Sequence, residues 1–331
     1  MSDKVDFYYA FSELKITELA GVRLKDYYQD LSLMIESQKN ALDIVYKEIG
    51  EKRGVSLDIG HVVSAGVVGC KLVYPGNNEP WAEPCLQNIE EIEGLQVPEP
   101  KHNPLVRQIL DKAKRFEKLT GVKPNVGFEG PVTTAALCRG IQNFLLDVYR
   151  DPELCKKLVE KVTDAIIEWK KYHESEMGIW GERSIGLADD DSSHLSPRHY
   201  REIALPYQLR WYEAFHERKM RDLHNCGNTT HLLEMIKELK LTSFEMGEKT
   251  DLAEAKRILK KTKLNKLFDL RILLSGSPDE IVDHTRTLIM IGAPENNFGI
   301  GIEGWKGITF ERVRLVKNLV SRYNENGRIC F

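Results

Sequence analysis

From Leu105 onward, helical stretches alternate with short apolar runs, and nearly every run stops at an acid or another polar group. Helical patterns over Leu105 to Leu119, Asp151 to Gly178, Ser196 onward, Leu232 to Leu239, Asp251 to Lys260, Ser277 onward and Phe310 to Tyr323 separate or follow these runs. Ser196-Pro197 places a Ser at N-cap and a Pro at N1, and Ser277-Pro-Asp-Glu280 repeats the signal. Counting Val55-Ser-Leu-Asp-Ile-Gly60, seven strand candidates follow Gly54. Their ends carry Asp58, Glu129, Asp189 to Asp191, His224 with Cys226, Glu245, Asp269 with Arg271, and Glu303. Strand alternating with helix means parallel pairing. A doubly wound sheet gathers its polar ends at one switch point. Here every strand carries one, as a closed (β/α)8 barrel with its site at the C-terminal face requires. The expected fold is therefore α/β, a TIM barrel forming one domain over 1–331.

Residues 1–53 read as a charged, amphipathic helical extension packed on that barrel. Gly76 to Pro104, rich in proline, reads as a long excursion loop. Gly299-Ile-Gly-Ile-Glu-Gly304 has the spacing of a dinucleotide loop, but it falls on the last strand with no helix opening directly after it. A net charge of −3 gives no reason to expect nucleic acid or an acidic membrane as partner. No apolar run reaches membrane-spanning length, and Met-Ser-Asp-Lys at the start has no apolar h-region, so a cytoplasmic protein is expected. The six cysteines are widely spaced and read as free thiols, one or two of them available for metal or catalysis.

Met220 to Thr230 carries the sharpest chemistry. On a strand, His224 and Cys226 share a face. Imidazole and thiolate together suit zinc; the bland alternative is a packed cysteine beside a hydrogen-bonded histidine. Glu245, on the neighbouring strand end, is a ligand or a partner that orients His224. Asp189, Asp190 and Asp191 crowd three carboxylates, which raise one another's pKa. Asp190 is the candidate acid, with Asp189 and Asp191 holding substrate; an N-cap and solvated loop before Ser196 is the plain alternative. Asp58 faces the barrel mouth as a catalytic or substrate-binding acid. Glu129, His61 and Trp81 are placed around the pocket as substrate contacts, and Asp269 and Arg271 as a charge pair directed at the lumen.

Gly127-Phe-Glu-Gly-Pro-Val-Thr-Thr-Ala135, Asn143-Phe144, Asp151-Pro-Glu153, Leu195-Ser-Pro197, Leu205-Pro206, His224-Asn-Cys-Gly227 and Leu274-Ser-Gly-Ser-Pro-Asp-Glu-Ile281 resemble the uroporphyrinogen decarboxylase superfamily, in order, over roughly residues 50 to 325. The resemblance implies a distorted (β/α)8 barrel. Its decarboxylase branch holds an octa-carboxylate tetrapyrrole with an N-terminal Arg-Gln-Ala-Gly-Arg motif that this chain lacks, although Asp58 matches that branch's first-strand aspartate. Its other branch, the zinc-dependent corrinoid methyltransferases, carries His-x-Cys on a mid-barrel strand, matched by His224 and Cys226, and a further Cys on the last strand. There this chain has Glu303, which the resemblance makes the third zinc ligand, with Cys330 as its rival. The chain has no Asp-x-His-x-x-Gly cobalamin motif, so the implied corrinoid arrives on a partner protein. The implied reaction moves a methyl group between that corrinoid and a small methylated substrate or thiol acceptor, and the carboxylate at 303 tilts the reading toward demethylation. A metal-free decarboxylase and a non-catalytic binding barrel are the rival readings. A homodimer is compatible with the sequence but not required by it.

Overall fold

The computed structural model describes residues 4–294 and 297–326. Its strands, in chain order, are β1 (Val5–Phe11), β2 (Lys71–Val73), β3 (Trp81–Glu83), β4 (Ser184–Ala188), β5 (Met220–Asn225), β6 (Ser243–Met246), β7 (Lys263–Leu267) and β8 (Phe298–Gly304). Six of them form one parallel sheet in the order β1-β8-β7-β6-β5-β4. β2 and β3 pair separately as a small antiparallel hairpin, inside the segment read as an excursion loop and the run just before it.

The first stave of the barrel is not where the sequence reading put it. Val55–Gly60 has no regular strand, and β1 lies within the stretch read as helical. Val5-Asp-Phe-Tyr-Tyr-Ala-Phe11 is aromatic and β-prone. It pairs with all of β8, from Val5 opposite Phe298 to Phe11 opposite Gly304. Asn324, on the helix Phe310–Asn326, fixes the start of β1 through two 2.9 Å bonds, one to the Val5 N–H and one to its carbonyl. Helices Glu13–Ala20, Leu24–Gln29 and Leu31–Ile49 follow β1, the first capped by Ser12 and the third by Asp30.

Between β1 and β4 the wall is irregular. Residues 53–61 and 125–129 run along the cavity there, and Glu129 makes an isolated parallel bridge to Ala188 of β4. The result is a distorted (β/α)8 barrel in which two staves lack ladder pairing. Gly299 and Gly301 on β8 now have a packing reason: a Cβ at Gly301 would overlap the Tyr8 ring, and one at Gly299 would crowd the Asn265 amide at 2.7 Å. Their spacing makes room for side chains inside the barrel rather than for a phosphate.

Candidate metal centre and cavity

The barrel encloses a cavity of about 780 Å³, open to solvent. It is lined by residues of β1 and β4 to β7 and by the two irregular segments. Asp58, His61, Glu129, His224 and Glu245 line it, as expected. Trp81 does not: it sits on the outer hairpin, 48% exposed.

At the C-terminal ends of β4 and β5, one donor atom each from Asp190, His224 and Cys226 lie within 4.8 Å of one another. β5 ends at Asn225, so His224 belongs to the strand and lines the cavity, while Cys226 lies one residue past the strand, exposed and outside the cavity lining. The His224 Nδ1–H donates to Glu245 Oε2 at 2.9 Å, and Tyr8 OH donates to Glu245 Oε1, also at 2.9 Å. That fixes the tautomer and turns Nε2 toward Asp190, whose Oδ1 is 3.6 Å away. The same Oδ1 accepts the Cys226 backbone N–H at 2.7 Å.

The charges follow from these contacts. Burial opposes a charged imidazole, but hydrogen bonds with Cys226 and Glu245 and the nearby Asp190 carboxylate push His224 up to about 11. Burial also opposes ionisation of Glu245, yet the His224 contacts and the Tyr8 hydroxyl hold it below its ordinary value. Glu129 behaves oppositely. Burial, then the charges of Asp190 and Asp189, hold it well above the ordinary carboxylate range. Its Oε2 is buried without a hydrogen-bond partner.

Asp189 is not a substrate contact. It is fully buried, its Oδ1 accepting from Thr133 N–H at 2.8 Å and its Oδ2 from Gln208 Nε2 at 2.7 Å. Thr133 is the third residue of the helix Pro131–Arg139, whose own N-cap, Gly130, has no side chain. Asp189 therefore caps that helix from another strand end, where an anion meets free N–H groups and the positive end of the dipole. A Cβ at Gly130 would lie 2.6 Å from the Asp189 side chain, so glycine is needed there. Burial pushes Asp189 up to about 7 against the pull of Gln208 and Thr133. The Asn225 side chain donates to the Asp189 carbonyl at 2.7 Å, tying β5 to the same loop. The Asp191 backbone N–H donates to the Thr133 hydroxyl at 3.0 Å, and Asp191 does not line the cavity.

Two further expectations are corrected. Asp269 is the N-cap of the helix Leu270–Ser275, bonded to the Arg271 N–H at 2.8 Å and to its guanidinium at 2.7 Å. The pair exists, but the chain turns into a helix after β7, so i, i+2 no longer means one strand face, and Arg271 projects outward with its side chain 77% exposed. Glu303 accepts the Trp305 indole N–H at 3.1 Å and, among the described residues, stands outside the Asp190–His224–Cys226 group. Asp190, read from the sequence as an acid, is the third member of that group. Cys330 lies outside the described residues.

Tyr8, Arg53 and Gln208 were missed. Tyr8 bonds Glu245, Arg53 lines the cavity and its charge acts on both Tyr8 and Glu245, and Gln208 holds Asp189. The aromatic run around Tyr8 was a strand signal. Nothing local marks Arg53 or Gln208.

The family model for uroporphyrinogen decarboxylase matches residues 11–320. A uroporphyrinogen decarboxylase of Geobacter sp. (strain M21) is 25% identical over 67% of this chain, and the chain spans 66% of that relative, just under two thirds. The methylcobamide:CoM methyltransferase MtbA of Methanosarcina acetivorans is 22% identical over 66% of this chain and 63% of its own length. Among solved structures, a methyltransferase from Methanosarcina mazei superposes with a TM-score of 0.72 at 18% identity, covering 97% of this chain and 94% of that one, which shows a shared fold.

Proposed function

Because this chain belongs to the uroporphyrinogen decarboxylase family, we propose that it is a zinc-dependent methyltransferase of that family, moving a methyl group between a small substrate and a corrinoid carried by a partner protein. The observation that carries the proposal is the meeting of Asp190, His224 and Cys226 at the ends of β4 and β5, beside the cavity that His224 lines. One carboxylate, one imidazole and one thiolate form a zinc donor set with a place left for substrate. Glu245 supports the reading as the partner that holds His224 in the ligating tautomer. The relative named methylcobamide:CoM methyltransferase supports the corrinoid half of it.

Zinc held there would supply Lewis acidity to a substrate heteroatom, or acidify a bound thiol. The protein's own groups do the rest. Tyr8 and Glu245 orient His224, and the Cys226 N–H fixes the Asp190 carboxylate. Glu129, which lines the cavity with its Oε2 buried and free of partners, would be the group to give a proton to a departing oxygen or nitrogen during demethylation. The cavity beside the donor set offers room for a small substrate.

Metal-free decarboxylation centred on Asp58 is the second reading, favoured by the names of several relatives. The cavity wall argues against an octa-carboxylate substrate. It presents the acids Glu13, Asp58, Glu129, Glu182, Asp222 and Glu245. Of its basic residues, Lys170 and Arg218 are already paired with Glu174 at 3.1 and 2.6 Å.

The deciding experiment compares wild type with His224→Ala and Cys226→Ala for zinc content and for demethylation of free methylcobalamin by added thiols. Each variant should contain one zinc fewer per chain than wild type and lose methyl transfer. Equal metal content in all three proteins would sink the proposal and leave Asp58 as the centre of the chemistry.

A further inference from the structure

Three cysteines far apart in the chain meet at one point. Cys70 immediately precedes β2, Cys85 follows β3 by two residues, and Cys138 sits in the last turn of the helix Pro131–Arg139. Their sulfurs all lie within 4.8 Å of one another. Cys70 and Cys138 are buried and Cys85 is half-buried. The backbone around them is pinned: Leu86 N–H donates to the Cys138 carbonyl at 3.1 Å, and the Arg139 guanidinium donates to the carbonyls of Leu86 and Gln87 at 3.3 and 2.8 Å.

We propose that Cys70, Cys85 and Cys138 form a second metal site, which takes one thiophilic d10 cation such as zinc through three sulfurs and clips the β2–β3 hairpin to the helix Pro131–Arg139. A buried cysteine used only as a small apolar residue has no need to bring its sulfur to two others. Metal–sulfur bonds of about 2.3 Å in a tetrahedral set place sulfurs a little under 4 Å apart, so closing the trio takes small side-chain rotations. Three sulfurs with no carboxylate among them select soft or borderline cations over magnesium or calcium.

Binding forms three metal–sulfur bonds and releases the three thiol protons to water, with no change of oxidation state. The half-buried Cys85 side leaves the fourth coordination position to a water.

The hairpin explains why a clip would matter. Its strands have three residues each, too short to be stable as an isolated pair. It lines no part of the barrel cavity. This site does not depend on the methyltransferase reading.

The test uses a full-length His224→Ala/Cys226→Ala background, which removes the other donor set. Reduced, metal-free protein is titrated with cadmium while the ultraviolet sulfur-to-metal charge-transfer band is followed, and with zinc while thermal unfolding is followed. One equivalent should saturate a band of three-thiolate intensity and raise the unfolding temperature. Adding Cys85→Ser, at the most exposed of the three sulfurs, should weaken binding at least 100-fold with unchanged circular dichroism. If that variant fails to fold, Cys70→Ser gives the same comparison. No band in the background protein, or an equal band after Cys85→Ser, would overturn the site. So would an intact mass two hydrogens light under non-reducing conditions, mapped to a disulfide within the trio in protein purified with care to exclude air.

Discussion

Asp58 gives the most direct test of the electrostatics of the cavity wall. Its Oδ1 accepts the Gly60 N–H at 2.9 Å and its Oδ2 accepts the Tyr27 hydroxyl at 3.1 Å, with Gln38 behind Tyr27 at 2.8 Å. Burial, followed by the Glu13 carboxylate, pushes Asp58 from 3.8 up to about 6, against the pull of the Gly60 and Tyr27 hydrogen bonds and of Lys112. A native carboxyl that holds its proton more tightly than the unfolded one contributes stability that is fully present below the unfolded value. That contribution is lost as pH rises through the native value. The window here runs from about pH 4 to pH 7, and the difference between 3.8 and about 6 is worth about 3 kcal/mol across it. Asp58→Asn removes the titration while keeping a neutral group of the same shape as the protonated acid. The assay is urea unfolding of both proteins at pH 4.5 and pH 7.5. The variant should gain about 2 kcal/mol on wild type between these two conditions, about two thirds of the linkage range. A stability difference that stays constant with pH, or a wild type that gains on the variant as pH rises, would refute the account of Asp58 as a proton-holding group.

Glu245→Gln leaves Tyr8 a partner but weakens the grip on His224 Nδ1, and should lower zinc affinity by about 10–100-fold without changing the unfolding transition of the metal-free protein. Competition with a chromophoric chelator reads this, and unchanged affinity would remove Glu245 from the site. The buried pair of Arg139 and Asp147, 2.8 Å apart and under 10% exposed on each side chain, predicts a different outcome. Asp147→Ala strands the guanidinium and should cost about 3–5 kcal/mol by chemical denaturation, whereas a loss under 1 kcal/mol would mean that the carbonyls of Leu86 and Gln87 satisfy Arg139 unaided.

The barrel was legible because its signals are local and repeat. An apolar run, a polar end and a capped helix recur within each βα unit, and β4 to β8 lie where those runs lie. His224 and Cys226 do come together, although Cys226 lies one residue past the end of β5, so the strand face that suggested the pairing stops short of it. Asp58, His61 and Glu129 were placed at the cavity from position alone. The first stave is set by a distant partner rather than by its neighbours in the chain. Val5–Phe11 is hydrogen-bonded as a strand only because β8, nearly three hundred residues later, offers it an edge, and its aromatic signal was overridden by the helices that follow.

What tertiary structure alone decided is the assignment of partners. Three adjacent aspartates look alike in the chain, yet one caps the helix of the neighbouring stave, one joins the donor set and one stands outside both the donor set and the cavity lining. Asp269 and Arg271 kept their pairing but lost the strand on which their common face depended. Glu303 has the right chemistry for a ligand, but in the fold it meets Trp305 and not His224. Cys70, Cys85 and Cys138 carry no readable spacing, and their sulfurs meet only because a hairpin returns to a helix more than fifty residues away. Residue type and period are properties of neighbours in the chain. Ligation, capping and charge pairing depend on distances of a few ångströms between atoms that the chain order leaves unrelated, and those distances exist only once the barrel has closed.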